Sequence, residues 1–418
     1  MLLVVSKRDG RASRAGGIAA CLFAAAGLAW PASSAAQETR TEEIEKKQAE
    51  KAANLQPYQP TKFEAIMNRV EENFASPPSG FYPALGSVYP GGGFTLGLGC
   101  RQFYARNAVF DINGFYSIKN YKKIEIGTRT PWHMQGPWTL ALRAGWFDAP
   151  QIGYYGIGMD SVSDDRANYR LKQGYGGLNL SFRPGGWTLL EGDVAYEDIK
   201  SEEGRGSAPS IETVYDEATA PGLFEPGAPG QFANPKYIHS SATAAIDWRP
   251  SAGYARKGGY YGVTLVDYKD LDDTFSFRRV DGEIIQHLPI LRENWVISVR
   301  GRVQSTLDDD DLVPYFLLPQ LGSGRTLRAY STGRFRDRHS ILTSAELRWI
   351  PNRIGLDMAL FYDAGKVTPR REDLDFNGLE SNWGIGARFH GPSTTVLRLE
   401  AARGKDGWHL VIATSAAF

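Results

Sequence analysis

Residues 321–338 read LGSGRTLRAYSTGRFRDR, a charged stretch that separates two regions of regularly alternating sequence. The stretch contains five arginines and three glycines, which is typical of a loop and not of a helix or a strand. On both sides of it, apolar and polar residues alternate with a period of two, the pattern of β-strands that bury one face. We therefore predict a long, charged loop within an all-β framework.

The alternation is clear in the segments that follow this stretch. In ILTSAELRW, residues 341–349, the odd positions carry Ile, Thr, Ala, Leu and Trp, and the even positions include Ser, Glu and Arg. The last eleven residues, 408–418, alternate in the same way. A soluble β-sandwich also has one-sided strands, but its core would place tryptophans in the middle of strands. Here we predict all nine tryptophans beyond residue 36 at strand ends, as in the aromatic girdles of a membrane β-barrel.

The strand count supports a transmembrane antiparallel β-barrel, because it is about sixteen and therefore even. The predicted strands are 94–104, 107–117, 121–130, 137–147, 151–160, 168–183, 186–199, 237–249, 259–269, 273–287, 293–305, 340–350, 354–364, 382–390, 393–403 and 408–418. The long connections 200–236, 306–339 and 365–381 then fall on one side of the barrel, and short turns fall on the other. The strand at 151–160 has the weakest pattern, and its loss would break this regularity.

The N-terminal region differs from the rest of the chain. Residues 1–36 combine basic residues, an apolar run and small residues at the end, which is the layout of a secretory signal peptide. Residues 37–80 are predicted to be a short helical or disordered periplasmic segment with an amphipathic helix at 61–74. The barrel is predicted to occupy residues 81–418. No later run of about 18 uncharged apolar residues suggests a transmembrane helix.

Composition narrows the classes of function. Once the signal peptide is removed, Cys100 is the only cysteine, so no intramolecular disulfide can form. Basic and acidic residues are nearly balanced, which predicts no nucleic-acid partner. The histidines lack the spacing of metal ligands, and the acidic run 308–311 either holds cations or is simply solvated. With no recognisable catalytic triad or phosphate loop, we predict no metal, no cofactor and no enzymatic activity.

Several motifs near the C-terminus occur in a characteristic order. They are Leu327-Arg328-Ala329-Tyr330, Phe361-Tyr362-Asp363-Ala364-Gly365, Gly384-Ile385-Gly386-Ala387-Arg388 followed by Gly391-Pro392, and the terminal Phe418. Together they resemble the bacterial surface antigen family, the outer-membrane β-barrels of the BamA and TamA type. Two features differ from the family pattern. Ala329 stands where the family usually has glycine, and no periplasmic polypeptide-transport-associated domain is recognised in the sequence.

This resemblance implies a location in the Gram-negative outer membrane and a role in inserting or translocating protein, or lipid, at that membrane. The implied partners are outer-membrane lipid, lipopolysaccharide and unfolded outer-membrane or secreted polypeptides, and Phe418 is the implied assembly signal. The glycine-rich stretch 91–99 either weakens pairing between the first and last strands or simply lets the first strand curve. A passive pore or structural barrel is the alternative function, and a barrel enzyme such as a lipase ranks lower. The sequence indicates no oligomeric state.

The resemblance also implies that the loop at 321–338 folds into the barrel lumen, with Arg328 held there by carboxylates. Glu346 and Asp363 are the candidate partners, because the alternation of their strands directs both side chains inward. A guanidinium fork binds carboxylates through charge-assisted hydrogen bonds. The motif thus makes Arg328 and Tyr330 the predicted lumenal anchor of the loop.

Simpler interpretations stay open for the loop residues. Arg328 is alternatively a solvated arginine, as we predict for Arg334, Arg336 and Arg338. Tyr330 either packs against the barrel wall or stays exposed. Further charged residues predicted on inward faces are Arg300, Arg302, Arg348, Arg388, Arg398 and Glu400. Their mixed charges suit either a water-filled lumen or one plugged by a loop.

Overall fold

The N-terminal region is only partly described by the structure. The computed structural model describes residues 42–50, 65, 79–104, 108–131, 137–214, 230, 233–291, 294–308, 313–351, 355–391 and 393–418. Residues 42–50 form an α-helix. The predicted signal peptide and, apart from Ala65, the predicted amphipathic helix at 61–74 lie outside the described residues. In the described part of the chain, no helix is long and apolar enough to cross a membrane.

Within the described residues, sixteen antiparallel strands form one continuous sheet, in which strands adjacent in sequence are hydrogen bonded to each other. They are β1 Gly80–Leu85, β2 Thr95–Tyr104, β3 Ala108–Ser117, β4 Lys122–Pro131, β5 Trp138–Tyr154, β6 Ala167–Phe182, β7 Thr188–Glu203, β8 Lys236–Asp247, β9 Gly258–Asp270, β10 Phe277–Ile290, β11 Trp295–Thr306, β12 His339–Trp349, β13 Leu356–Thr368, β14 Glu380–His390, β15 Thr395–Gly404 and β16 Gly407–Ala413. Short helical turns occur at Ser163–Asp165, Ile211–Val214, Tyr315–Leu317 and Arg371–Asp373, and a separate two-stranded ladder pairs Gln320–Leu321 with Phe335–Arg336. The predicted all-β barrel of about sixteen strands is confirmed.

The largest differences from the predicted strands concern the strand at 151–160 and the two edges of the sheet. The predicted strand at 151–160 does not form separately, because β5 continues through a bulge after Ala149 and ends at Tyr154. Its place in the count is taken by β1, a six-residue strand that contains Pro83 and precedes the predicted first strand. Proline weakens a strand pattern and is tolerated mainly at sheet edges, which is where β1 lies. At the other edge, β16 ends at Ala413 instead of continuing to Phe418.

The two faces of the sheet have opposite chemistry. Outward-facing side chains are apolar and exposed along the wall, as in Val263, Ile284, Leu360 and Ile385. A continuous exposed apolar band is costly in water and suits a hydrocarbon environment. Inward-facing positions carry most of the buried arginines, aspartates and glutamates. The long connections follow odd-numbered strands, so they lie together on the predicted extracellular side.

Among the tryptophans that the structure describes, the prediction of a position at a strand end is wrong for two, and Trp132 lies outside the described residues. Trp146 and Trp383 lie several residues inside β5 and β14. Each is nonetheless level with the end of a neighbouring strand, since Trp146 pairs with Ile124 of β4 and Trp383 pairs with Arg403 of β15. The girdle therefore follows the ends of the shorter strands, and the longer strands extend past it.

The connection between β11 and β12 comprises residues 307–338. Its described part from residue 313 to residue 338 folds into the barrel, and we call this part the lumenal loop. Tyr315 of this loop packs edge-on against Tyr154 and Tyr169, with ring centroids 5.4 and 5.0 Å apart. Further along, Leu327 joins a second apolar cluster with side chains of β12, β13 and β15. The loop thus contacts walls on different sides of the lumen and plugs it.

A second segment crosses the mouth of the barrel on the predicted periplasmic side. Residues 248–257, which join β8 to β9, reach the turn between β14 and β15, and we call them the periplasmic strap. Gly253 accepts hydrogen bonds at its carbonyl oxygen from the backbone N–H and the hydroxyl of Thr395, both at 3.1 Å. A side chain at Gly253 would come within 2.8 Å of the Ser393 carbonyl oxygen, so glycine permits this approach. Tyr254 donates a hydrogen bond of 2.9 Å to the buried carboxylate of Asp357 on β13.

Candidate functional site

Tight turns in the lumenal loop position Arg328. The backbone N–H of Thr326 donates to the Ser323 carbonyl oxygen at 3.2 Å, and that of Tyr330 donates to Leu327 at 3.1 Å. Gly322, at the start of these turns, has a φ of +96°, a conformation that favours glycine. Leu327 and Tyr330 are buried on either side of Arg328. These contacts direct the Arg328 side chain towards β12 and β13.

Arg328 is 1 % exposed and contacts carboxylates from three strands. Its Nε and one terminal nitrogen donate hydrogen bonds of 2.8 Å to the two carboxylate oxygens of Asp363. Its other terminal nitrogen lies 2.6 Å from Glu346 Oε1 and 3.3 Å from Glu400 Oε1. The structure therefore brings together Arg328, Glu346 and Asp363, the three residues that the motif and strand alternation singled out. It adds Glu400, whose inward direction was predicted but whose role as a partner was not.

Two further arginines complete a six-residue group, which we call the lumenal charge cluster: Arg328, Arg388, Arg398, Glu346, Asp363 and Glu400. Arg388 donates hydrogen bonds of 2.8 and 2.6 Å to the two oxygens of Glu346, and a hydrogen bond of 2.9 Å to Glu400. Arg398 donates to Glu400 at 2.8 Å and to the carbonyl oxygen of Gly324 in the lumenal loop at 2.6 Å. Three positive and three negative groups balance, so no net charge is buried.

The surroundings of Arg328 favour its charged form. Burial lowers the pKa of its guanidinium, but the carboxylates of Glu346 and Asp363 outweigh burial and hold the pKa above its ordinary value. The guanidinium also stacks over the Phe361 ring at 3.5 Å. Asn382 donates a hydrogen bond of 2.9 Å to Asp363 Oδ2, which fixes that carboxylate from its other side. Arg328 is therefore positioned by charge, stacking and hydrogen bonds together.

The substitution of glycine by alanine in the motif has a structural explanation. Ala329 is absent from the described residues with positive φ, so its backbone does not need glycine. Its side chain is buried, and its N–H donates to Asn382 Oδ1 at 3.4 Å. At this position, the difference from the family pattern leaves the loop anchor intact.

Tyr330 packs against the barrel wall, so the exposed alternative for this residue is wrong. Its ring is 1 % exposed and its hydroxyl donates a hydrogen bond of 3.0 Å to Glu380 at the start of β14. The same hydroxyl accepts the backbone N–H of Lys405 at 3.1 Å. A Cβ at Gly404 would lie 2.8 Å from the Tyr330 ring, so glycine makes room for it. Tyr330 thereby links the lumenal loop to the extracellular ends of β14 and β15.

The prediction that Arg334 and Arg336 are solvated is wrong, because both are buried. Arg334 donates hydrogen bonds of 2.7 Å to Asp406, in the β15–β16 turn, and 2.8 Å to the Ser161 carbonyl oxygen, between β5 and β6. It therefore spans the lumen from one wall to another. Arg338 is half-buried.

Arg336 occupies a different environment from Arg328. Its guanidinium carbon lies 5.5, 5.6 and 5.9 Å from the ring centroids of Tyr154, Tyr169 and Tyr315. It donates hydrogen bonds to the Tyr315 carbonyl oxygen at 3.1 Å and to Gln320 at 3.2 Å, while its Nε has no partner among the described residues. None of these contacts involves a carboxylate. Aromatic faces, the oxygens of Tyr315 and Gln320, and the Tyr169 hydroxyl at 3.5 Å compensate the buried charge.

Phe418 leaves the outer wall and lies on the inner side of the barrel. β16 pairs with β15 as far as Ala413, opposite Arg398. The following residues turn inward, where Ala417 is buried. The Phe418 ring lies 5.9 Å from the guanidinium carbon of Arg300 on β11. Its predicted role as an assembly signal stays a prediction.

A buried carboxyl group in the lumenal loop gives a pH-dependent expectation. Burial raises the pKa of Asp337 to about 6, although its carboxylate accepts the N–H of Arg338 at 2.8 Å. The folded protein therefore binds this proton more tightly than the unfolded chain. The contribution of Asp337 to stability is fully present below the unfolded pKa and is lost as the pH rises through about 6.

We expect Asp337→Asn to remove this part of the pH dependence. The shift of the Asp337 pKa corresponds to about 3 kcal/mol at most, so wild type should lose stability relative to the variant between pH 4 and pH 7. The measurement is the unfolding temperature from heat-dependent mobility of unboiled samples, recorded across this pH range for both proteins. Parallel curves for wild type and Asp337→Asn would contradict the burial of an ionisable Asp337.

Within the described residues, no group of three or more His, Cys, Asp or Glu side chains is arranged to hold a metal ion. Cys100 is a free cysteine.

An apolar outer wall and a lumen plugged by a charge-anchored loop define the chain as a membrane β-barrel of the outer-membrane type. A family model for the Omp85 superfamily domain matches residues 103–406. Because this match covers most of the chain, the protein belongs to the Omp85 superfamily, whose members are outer-membrane proteins. No polypeptide-transport-associated domain is present among the described residues.

Three solved structures are similar in fold. BamA from Haemophilus ducreyi lacking POTRA domains 1–3 has a TM-score of 0.57 and 14 % identity, covering 77 % of this chain and 68 % of that chain. CdiB from Escherichia coli has a TM-score of 0.51 and 13 % identity, covering 77 % and 59 %. CdiB from Acinetobacter baumannii has a TM-score of 0.49 and 14 % identity, covering 80 % and 56 %. The chain thus spans less than two thirds of each CdiB chain. No curated protein sequence matches.

Proposed function

We propose that this barrel inserts or translocates polypeptide at the outer membrane. The observation that carries the proposal is the short length of the two edge strands. β1 and β16 have six and seven residues, whereas the strands between them have ten to seventeen. Short edge strands leave backbone N–H and C=O groups of their longer neighbours available for another strand. An incoming polypeptide that adopts an extended conformation can pair there by β-augmentation.

Although β1 is short, its side-chain contacts hold it in place at the edge of the sheet. Tyr82 of β1 donates a hydrogen bond of 2.7 Å to Asn113 on β3. A Cβ at Gly99 would lie 2.3 Å from the Tyr82 ring, so this glycine makes room for the aromatic side chain. Gly97 similarly faces the Phe115 ring. These glycines fit the packing of inward aromatic rings, and the short length of β1 supplies the limited pairing.

A folding assay tests the proposal directly. The purified protein is reconstituted in lipid vesicles, and a small urea-unfolded outer-membrane barrel is added from outside. We expect it to fold several-fold faster than in empty vesicles, with folding followed by gel mobility of unboiled samples. Vesicles that contain an unrelated sixteen-stranded porin provide the control for bilayer defects. Equal rates in all three preparations would contradict the proposal.

The passive pore is the second candidate, and the charged inward faces of the wall favour it. The lumenal loop opposes it, because the loop plugs the space through which ions would pass. Planar-bilayer recording separates the two functions. Large, steady currents from wild type, combined with no acceleration of folding in the vesicle assay, would support the passive pore instead.

A further inference from the structure

A chamber of about 570 Å³ lies between the lumenal loop and the inner faces of β9, β10 and β11. Its volume is within the usual range for small-molecule sites. The charged side chains that line it are Arg279, Arg300, Arg302, Arg325, Asp281 and Glu283. Four arginines face two carboxylates, so the chamber carries an excess of positive charge. It is separate from the lumenal charge cluster, in which the opposite charges balance.

Both carboxylates of the chamber are already paired. Asp281 accepts hydrogen bonds of 2.8 and 3.2 Å from Arg279 and a third, of 3.1 Å, from Gln304. Glu283 accepts a hydrogen bond of 2.8 Å from Arg300 Nε. Arg300 in turn donates to the carbonyl oxygen of Arg325 at 2.7 Å, which ties the lumenal loop to β11. Two of the four arginines therefore have their counter-charges within the protein.

The guanidinium groups of Arg302 and Arg325 have no ion-pair partner among the described residues. Arg302 is directly opposite Glu283 in the β10–β11 register, but Glu283 pairs with Arg300. In the part of the chain that the structure describes, neither the Arg302 guanidinium nor the Arg325 guanidinium makes a hydrogen bond or ion pair. The Arg302 guanidinium is half-buried in the lumen, so its charge is screened less than in bulk water and attracts an anion. The exposed Arg325 side chain adds a second positive charge at the same chamber.

We propose that Arg302 and Arg325 bind the phosphate group of a phosphate monoester in this chamber. Two guanidinium groups match the two negative charges that a phosphate monoester carries above pH 6, whereas a carboxylate supplies one. Arginine forks also fit the geometry of phosphate oxygens. The remainder of the lining includes Phe316, Leu318 and Pro90, which offer an apolar surface for the organic part of the ester. The ester comes either from a soluble metabolite or from a lipid headgroup.

Binding of phenyl phosphate to the purified full-length protein tests the site. Isothermal titration at pH 7.5 and constant salt should give saturable binding to wild type. We expect Arg302→Gln and Arg325→Gln each to weaken this binding at least ten-fold, and the double variant to show none. Arg370→Gln is the matched control, because it removes the same charge from an exposed extracellular loop. It should bind phenyl phosphate as wild type does.

Folding is checked for each variant by mobility of unboiled samples. If Arg302→Gln fails to fold, the exposed side chain of Arg325 still allows the test with Arg325→Gln alone. No saturable binding to wild type, or equal affinities for wild type, Arg325→Gln and Arg370→Gln, would overturn the proposal. Competition then identifies the source of the ester. Displacement of phenyl phosphate by phosphatidic acid, added in the detergent micelles that hold the protein, assigns a lipid headgroup, and displacement only by soluble phosphate esters assigns a metabolite.

Discussion

Arg328→Ala should lower the unfolding free energy of the barrel by about 3–5 kcal/mol, the cost of removing one partner from a buried ion pair. The change leaves the carboxylates of Asp363, Glu346 and Glu400 in a buried cluster with only two arginines. The loss should appear as a lower unfolding temperature in the mobility of unboiled samples. Arg328→Met should be almost as damaging, because restoring volume does not restore the positive charge.

A double-mutant cycle assigns the loss to a particular pair. Asp363 is the best second site, because among the described residues Arg328 is the only arginine that pairs with it. Glu346 is a poorer choice, since Arg388 also binds it. Asp363→Asn added to Arg328→Ala should therefore cost less than the sum of the single losses, with a coupling of about 1–3 kcal/mol. Additive losses would mean that the two side chains do not anchor the loop together.

The matched control is Arg325→Ala, which lies in the same loop. Its guanidinium makes no hydrogen bond or ion pair within the described residues, so removing it should change the unfolding temperature little. If Arg325→Ala lowered the unfolding temperature as much as Arg328→Ala does, the effect would come from the overall charge of the loop and not from the Arg328 ion pairs.

The second large loss of stability is expected for Arg336→Ala. Unlike at Arg328, replacement by methionine should restore most of the lost stability. Arg336→Ala empties the space between Tyr154, Tyr169 and Tyr315 and should cost about 2–4 kcal/mol through lost packing. Arg336→Met fills most of that space and removes a buried charge that has no carboxylate partner among the described residues. It should therefore cost less than about 1.5 kcal/mol.

The comparison of the two methionine variants is the decisive measurement. Arg328→Met should unfold well below wild type, and Arg336→Met close to it, in the same mobility assay. Equal and large losses would show that the Arg336 charge itself, and not its volume, holds the loop against β5 and β6. Circular dichroism of both variants at low temperature controls for incomplete folding.

The local part of the site was predictable from the sequence. Side-chain direction in a strand depends on residue parity, so the inward positions of Glu346 and Asp363 followed from their own strands. The choice of partners did not follow, because Glu400 is a partner only through the distance between β15 and the lumenal loop. Alternation identified Arg388 and Arg398 as inward, but it contains no information on which carboxylate each would contact.

The burial of Arg336 could not be predicted from its neighbours in the chain. Tyr154 and Tyr169 belong to strands about 170 residues earlier, and no local pattern connects them to a charged loop. The sheet edges were also missed for a physical reason. β1 contains Pro83, and the residues after Ala413 keep their alternation although they leave the sheet. Alternation records which face a residue would occupy, whereas pairing depends on a partner strand.

The periplasmic strap has a consequence for the mechanics of the barrel. It connects the β8–β9 turn to the β14–β15 turn, and the six strands from β9 to β14 lie between these two turns in the sheet. Together with the strands between these turns, it forms a closed ring in which the strap is the chord and the wall is the arc. The strap constrains the curvature of that arc independently of any pairing between the edge strands β1 and β16. The two edges can separate while the six-strand arc from β9 to β14 keeps its radius.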